Sequence, residues 1–78
     1  MAPSGWWRVV AVTYEQDGAR WIPVVKHEMY GPTQERAIEV YQAHMRSDGF
    51  LRACSLTPGG GAYQGTPCRT EAHLERIP

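Results

Sequence analysis

Two runs of strand-forming residues, separated by a turn sequence, occupy the first thirty residues. They extend from Trp6 to Tyr14 and from Arg20 to Tyr30 and are rich in Val, Trp, Ile and Tyr, which strands favour. Asp17-Gly18 lies between them, a pair typical of a two-residue type I′ turn, because that turn needs positive φ at both positions. The pattern predicts an antiparallel hairpin with strands at about 6–14 and 20–30.

A loop at Asp17 and Gly18 would set the hairpin register and divide its side chains between two faces, since direction alternates along a strand. One face then carries Trp6, Arg8, Val10, Val12, Tyr14, Trp21, Pro23, Val25, His27 and Met29. The other face carries Trp7, Val9, Ala11, Thr13, Glu15, Arg20, Ile22, Val24, Lys26 and Glu28. We expect the first face to be the core. Pro23 has no N–H to donate, so the second strand should be an edge strand or carry a bulge.

The segment after the hairpin has the spacing of an amphipathic helix. Gly31-Pro32 breaks the second strand, and Thr33 can cap a helix that begins at Gln34. At 100° per residue, one side of this helix collects Ala37, Ile38, Val40, Tyr41, His44 and Met45. A helix is therefore expected over about 34–48, with Gly49 ending it in a left-handed conformation.

The last third of the chain predicts two further strands. Phe50 to Leu56 is interpreted as a third strand, 57–67 as a flexible loop and 68–77 as a fourth strand, with a short helix or disorder left as alternatives at the carboxy terminus. The order ββαββ predicts one α+β domain over residues 1–78. Its architecture is a three- or four-stranded antiparallel sheet with one amphipathic helix packed on one face.

Composition and charge narrow the classes of function. The chain has 78 residues and zero formal net charge, which gives no field to hold a nucleic-acid backbone or a membrane surface non-specifically. No signal peptide or spanning segment is evident, so a cytoplasmic location is expected. Cys54 and Cys68 are then expected to be reduced thiols, although a disulfide between them remains geometrically possible.

Candidate catalytic and metal-binding residues are few. His44 and Asp48 are neighbours on the predicted helix, but no serine or cysteine can be placed beside them from sequence. Closely spaced ligand pairs are absent among Cys54, Cys68, His27, His44 and His73, so we expect no metal site. The usual hydrolase motifs are absent as well. We expect a protein that is not an enzyme and has no cofactor.

The sheet face without a helix is the predicted binding site. Its residues form an apolar stripe flanked by an aromatic and two basic side chains: Trp7, Val9, Ala11, Arg20, Ile22, Val24 and Lys26. An exposed stripe of this kind usually marks a contact surface. The sequence therefore predicts a small protein-binding or regulatory accessory domain that acts through this face or a strand edge, in the simplest case as a homodimer. The alternative is a nucleic-acid-binding domain that uses Trp7, Arg20 and Lys26.

Overall fold

A computed structural model of the chain, which describes residues 2–55 and 60–78, contains four strands and two helices. In chain order they are β1 (Trp7–Asp17), β2 (Arg20–Gly31), α1 (Gln34–Ser47), α2 (Gly49–Ser55), β3 (Gly61–Tyr63) and β4 (Thr66–Arg76). The strands form one antiparallel sheet in the order β2-β1-β4-β3. The predicted α+β class and antiparallel sheet are confirmed, but the element order is ββααββ.

The hairpin turn between β1 and β2 begins one residue later than predicted, which shifts the pairing of the two strands by two residues. Asp17 pairs with Arg20, so the two central residues are Gly18 and Ala19. Gly18 has a φ of 63°, and Ala19 has no positive φ. Positive φ at the first central residue alone is the mark of a type II′ turn, which favours glycine there. The predicted type I′ turn at Asp17-Gly18 is therefore wrong.

A β-bulge interrupts the pairing of β2 with β1. Thr13 pairs with Val25, and Tyr14 pairs with Pro23, so Val24 is left without a partner on β1. β2 is also an edge strand of the sheet. The expectation from Pro23, an edge position or a bulge, is confirmed on both counts.

This bulge makes the predicted core face only partly correct. Val25, His27 and Met29 lie on the covered side, as expected, whereas the even-numbered residues of β1 lie on the opposite side. The displaced turn shifts the pairing of the strands by two residues, and a shift of two leaves each side chain on its predicted face. The bulge shifts the pairing by one more residue, which changes the residues of β1 and β2 that share a face. Beyond Val24, the odd-numbered residues of β2 therefore share a face with the odd-numbered residues of β1. Val25, His27 and Met29 lie opposite Thr13, Ala11 and Val9.

The helices cover the face that contains Val9, Ala11 and Thr13. These side chains are only 4%, 0% and 0% exposed. On the helix side, Ala37 of α1 and Leu51 of α2 are completely buried. The prediction that Val9 and Ala11 face away from the helix is wrong, because it assumed a hairpin without a bulge.

Capping residues define both helices. Thr33 accepts a hydrogen bond from the N–H of Arg36 at 3.1 Å, which confirms the predicted start of α1. Asp48 ends α1 with extended backbone and accepts the N–H of Leu51 at 2.9 Å, so that it also caps the start of α2. The predicted left-handed Gly49 and the third strand at 50–56 are wrong, because α2 occupies Gly49–Ser55. Leu56 lies outside the described residues.

The carboxy-terminal part of the chain completes the sheet. The predicted loop 57–67 contains β3, and its first three residues lie outside the described chain. Gln64 and Gly65 both have positive φ, 51° and 82°, as a type I′ turn requires. The fourth strand predicted at 68–77 is confirmed as β4, which pairs with β1 from Trp7–Arg76 to Glu15–Cys68.

A disulfide joins Cys54 of α2 to Cys68 of β4, with 5.1 Å between the Cα atoms. Both cysteines are 1% exposed. The expectation of two reduced thiols is wrong because α2, which was predicted as a strand, brings Cys54 onto the covered face of the sheet. The bond fixes the second helix to the strand next to β1.

The face assignment is tested by placing a charge on each side of the bulge. Ala11→Asp should destabilise the fold by about 3 kcal/mol or more, because it buries an unpaired carboxylate. Val24→Asp is the matched control: Val24 is 45% exposed, and the change should cost within about 0.5 kcal/mol. Urea unfolding measures both values. Equal unfolding midpoints would contradict the assignment.

The disulfide is tested by replacing both cysteines with alanine. The bond closes a loop with a sequence separation of 14, and its loss should reduce the free energy of unfolding by about 3 kcal/mol. Wild type treated with a reductant should unfold at a similar urea concentration to Cys54→Ala/Cys68→Ala. An unfolding midpoint that neither treatment changes would show that the bond does not form.

Candidate functional site

The seven residues predicted as a binding surface do not lie on one surface. Val9 and Ala11 are buried beneath the helices, and Lys26 projects from the opposite face beside Val12. Trp7 lies at one end of the hairpin, opposite Gly31, while Arg20 and Ile22 lie at the other end, next to the turn. Val24 is the exposed bulge residue. The residues of the predicted stripe therefore lie on different faces, because of the bulge, and at opposite ends of the hairpin.

The uncovered face, here called the outer face, is a network of charged side chains around β1. Its residues are Arg8, Val10, Val12, Tyr14, Trp21, Pro23, Lys26, Glu28, Tyr30, Arg69, Glu71, His73 and Glu75. Arg8 forms an ion pair with Glu75 and lowers the pKa of that carboxyl by hydrogen bonding. The Tyr30 hydroxyl donates to Glu28 at 2.8 Å and lowers the pKa of that group. This face is polar and internally paired.

The aromatic rings of the outer face are covered by arginine. The guanidinium carbon of Arg69 lies 4.7 Å from the centroid of Trp21 and 5.8 Å from that of Tyr14. Such cation–π contacts occupy the ring faces that nucleic-acid bases would stack on. The predicted aromatic and basic patch of Trp7, Arg20 and Lys26 is likewise not assembled, because Trp7 and Arg20 lie at opposite ends of the hairpin. The geometry does not favour a nucleic-acid interface.

The free edge of β4 has backbone groups without a neighbouring strand in the described chain. Ile77 donates its N–H to Trp6 at 2.7 Å and accepts the N–H of Gly5 at 2.8 Å. Because hydrogen-bonded pairs alternate along an antiparallel ladder, the odd-numbered residues of β4 bond to β1 and the even-numbered ones point away from it. β3 covers the edge as far as Cys68, and Gly60 lies beside Arg69. The backbone groups of Thr70, Ala72, Leu74 and Arg76 therefore face outward.

An apolar groove of about 180 Å³ runs beside this edge, between β4 and α1. It is lined by Val9, Ile38, Tyr41, Ala72, His73 and Leu74. Ile38 is 38% exposed. Side chains of the even-numbered β4 residues lie on this covered side, because Ala72 and Leu74 pair with Ala11 and Val9.

The edge formed by β2 differs from the edge of β4. The alternation of the ladder directs the nitrogen of Pro23 away from β1, so its missing N–H costs no sheet hydrogen bond. Next to Pro23 lie the bulge at Val24 and the ion pair between Lys26 and Glu28 at 3.2 Å. Bulges, proline and charge are the features that natural proteins use to prevent pairing at an edge. β4 has neither a bulge nor a proline over residues 69–76.

A second cluster joins β2 to the end of α1. One ligand atom from each of His27, His44 and Asp48 lies within 4.8 Å of the other two. The rings of His27 and His44 are 4.7 Å apart in an edge-to-face arrangement. Sequence spacing identified His44 and Asp48 as neighbours. It also placed His27 on the covered face, but alternation along a strand does not show that His27 lies opposite His44.

Two atoms of this cluster have distinctive surroundings. The N–H of Leu51 and, less strongly, the charge of His44 lower the pKa of Asp48 below its usual value. The Nε2 atom of His44 is buried and has no hydrogen-bond partner among the described residues. Buried polar atoms normally have a partner. The cluster thus combines a carboxylate with a buried imidazole nitrogen that has no hydrogen-bond partner among the described residues.

Comparisons with protein families, curated proteins and solved structures found no match for this chain. Among the described residues, no helix is long and apolar enough to cross a membrane.

The double capping role of Asp48 predicts a pH-dependent stability. Asp48→Ala should cost about 1 kcal/mol near neutral pH, because the N–H of Leu51 loses its acceptor. The pKa of Asp48 is lowered in the folded state, so its charge stabilises the fold above the unfolded value of about 3.9 and ceases to do so as the pH falls through the folded value.

Urea unfolding at several pH values checks this prediction. The difference between wild type and Asp48→Ala should shrink below about pH 4. Asp48→Asn is the control, since it keeps an acceptor for Leu51 without the charge. A difference that grows as the carboxylate is protonated would contradict the argument.

Proposed function

We propose that this chain is a non-enzymatic protein-binding domain that takes up an extended segment of a partner as an additional strand at the free edge of β4. One observation carries the proposal: outward-facing backbone groups at Thr70, Ala72, Leu74 and Arg76 run beside an exposed apolar groove. In strand addition, main-chain hydrogen bonds supply affinity, and pockets for alternate side chains supply specificity.

The two sides of the edge indicate what the segment contains. Alternate side chains of the added strand would contact Ile38, Tyr41 and Leu74 on the covered side. The side chains between them would lie next to Glu71 and His73 on the outer face, where Glu71 is bound only at 3.5 Å to Arg69. The preferred segment therefore alternates apolar residues with polar or basic ones.

Two registers in which a second copy of this chain could pair with β4 have specific costs. Antiparallel pairing of two β4 strands about His73 would fit within residues 70–76, but it places Glu71 opposite Glu75, and like charges directly across strands are destabilising. Pairing about Ala72 removes that repulsion. It also brings residues 75 and 76 to the edge position beside Arg69, which Gly60 already occupies. These two registers of the homodimer expected from sequence are thus disfavoured, the first by charge and the second by space.

The cytoplasmic location expected from sequence remains a prediction. The disulfide between Cys54 and Cys68 weighs against it, because such bonds form and persist mainly in oxidising compartments. A partner in an oxidising compartment is therefore the better search target. Strand addition itself works in either environment, because it depends on backbone groups that carry no redox chemistry.

Selection from a library of displayed unstructured peptides tests the proposal. Bound peptides should protect the amides of Thr70, Ala72, Leu74 and Arg76 from hydrogen exchange, and those amides should exchange quickly in the free protein. Ala72→Pro should weaken binding more than about tenfold, because it removes an outward N–H without removing a bond to β1.

Lys26→Pro is the matched control, since Lys26 also directs its N–H outward, but on the β2 edge. It should leave peptide affinity unchanged. Peptides that bind Ala72→Pro as well as wild type, or that protect β2 instead, would overturn the proposal. Light scattering measures whether the protein is a monomer or a dimer. A wild-type dimer that Ala72→Pro converts to a monomer would show that the added strand comes from a second copy of this chain.

A further inference from the structure

We propose that His27, His44 and Asp48 form a binding site for a divalent transition-metal ion of the zinc class. Their ligand atoms lie within 4.8 Å of one another, and all three side chains are half-buried. Ligand atoms around one tetrahedral zinc lie about 3.3 Å apart, given bonds of about 2.0–2.1 Å. Small side-chain rotations therefore bring the three atoms to bonding distance.

The donor set selects the kind of metal. Two imidazole nitrogens and one carboxylate oxygen suit zinc and its neighbours, whereas magnesium and calcium prefer oxygen ligands alone. With neutral imidazoles the three residues contribute one negative charge, which partly neutralises a divalent cation. Three protein ligands also leave at least one coordination position for water or another ligand.

The site is held in place by the structure around it. One carboxylate oxygen of Asp48 accepts the N–H of Leu51 at 2.9 Å, which fixes the orientation of the group. α2, which supplies that N–H, is attached to β4 by the disulfide at Cys54. Such contacts around a ligand fix its orientation and strengthen metal binding.

The buried Nε2 atom of His44 points independently to a ligand. It has no hydrogen-bond partner among the described residues. A buried nitrogen without a partner costs free energy, and coordination to a metal ion would satisfy it. This observation does not depend on the spacing of the three residues.

The proposal runs against the expectation of no metal site. That expectation rested on ligand spacing along one segment, as zinc motifs usually show it. His27 and His44 instead come from an edge strand and a helix, and they meet because His27 lies on the side of the sheet that α1 covers. Titration with zinc distinguishes the proposed metal site from the expectation that the chain binds no metal.

Calorimetric titration of tag-free protein with zinc chloride near neutral pH tests the site. We expect one zinc ion per chain and a rise in melting temperature with zinc concentration, since binding to the folded state alone stabilises it. Magnesium should produce neither effect. His27→Gln, His44→Gln and Asp48→Asn should each weaken zinc binding by more than about tenfold, the scale seen on loss of even an outer contact.

His73→Gln is the matched control. His73 is the remaining histidine of the chain, lies on the outer face and is paired with Glu75 at 3.2 Å. Its replacement should leave zinc affinity unchanged. Far-ultraviolet circular dichroism verifies that every variant is folded, and Asp48→Asn keeps an acceptor for Leu51. The proposal is overturned if wild type binds no zinc, or if His73→Gln lowers the affinity while His44→Gln does not.

Discussion

The unpaired residue Val24 is the constraint on which the arrangement of both candidate sites depends. One extra residue in β2 shifts the alternation of its side chains relative to β1. As a result, Val25, His27 and Met29 face the helices together with Val9, Ala11 and Thr13. Without the bulge, His27 would project from the outer face and could not approach His44. Pro23 is compatible with this arrangement, since a residue that cannot donate a hydrogen bond is tolerated beside a bulge on an edge strand.

Asp48 is the second point at which a single residue determines the architecture. Its extended backbone ends α1, and its carboxylate begins α2 by accepting the N–H of Leu51. Because α2 continues over the covered face, Cys54 reaches Cys68. The same carboxylate also faces His27 and His44. A capping residue thus connects the helix break, the disulfide and the histidine cluster.

Sequence reasoning succeeded where the signal is local and failed where it depends on register. Thr33, the helix after it and the edge position of Pro23 follow from backbone chemistry within a few residues, and each is confirmed. The covered face was wrong for β1 because a one-residue bulge in β2 changes which residues of the two strands share a face, and alternation alone does not locate a bulge. The prediction of a strand at 50–56 was wrong because Asp48 caps a second helix, which begins at Gly49. His27 was correctly placed on the covered face and His44 on the helix side, but their contact also depends on how α1 lies along β2, which the sequence pattern does not show.

The buried core explains why cross-links matter to this fold. Its fully buried side chains are mostly small, including Ala11, Ala37 and Thr13, and a chain of 78 residues can bury only a limited area. Domains of this size commonly add a disulfide or a metal to compensate. The disulfide joins α2 to β4, and the proposed metal site joins α1 to β2 on the other side of the central strand. Together they would restrain both flanks of the sheet and leave the free edge of β4 as the open surface.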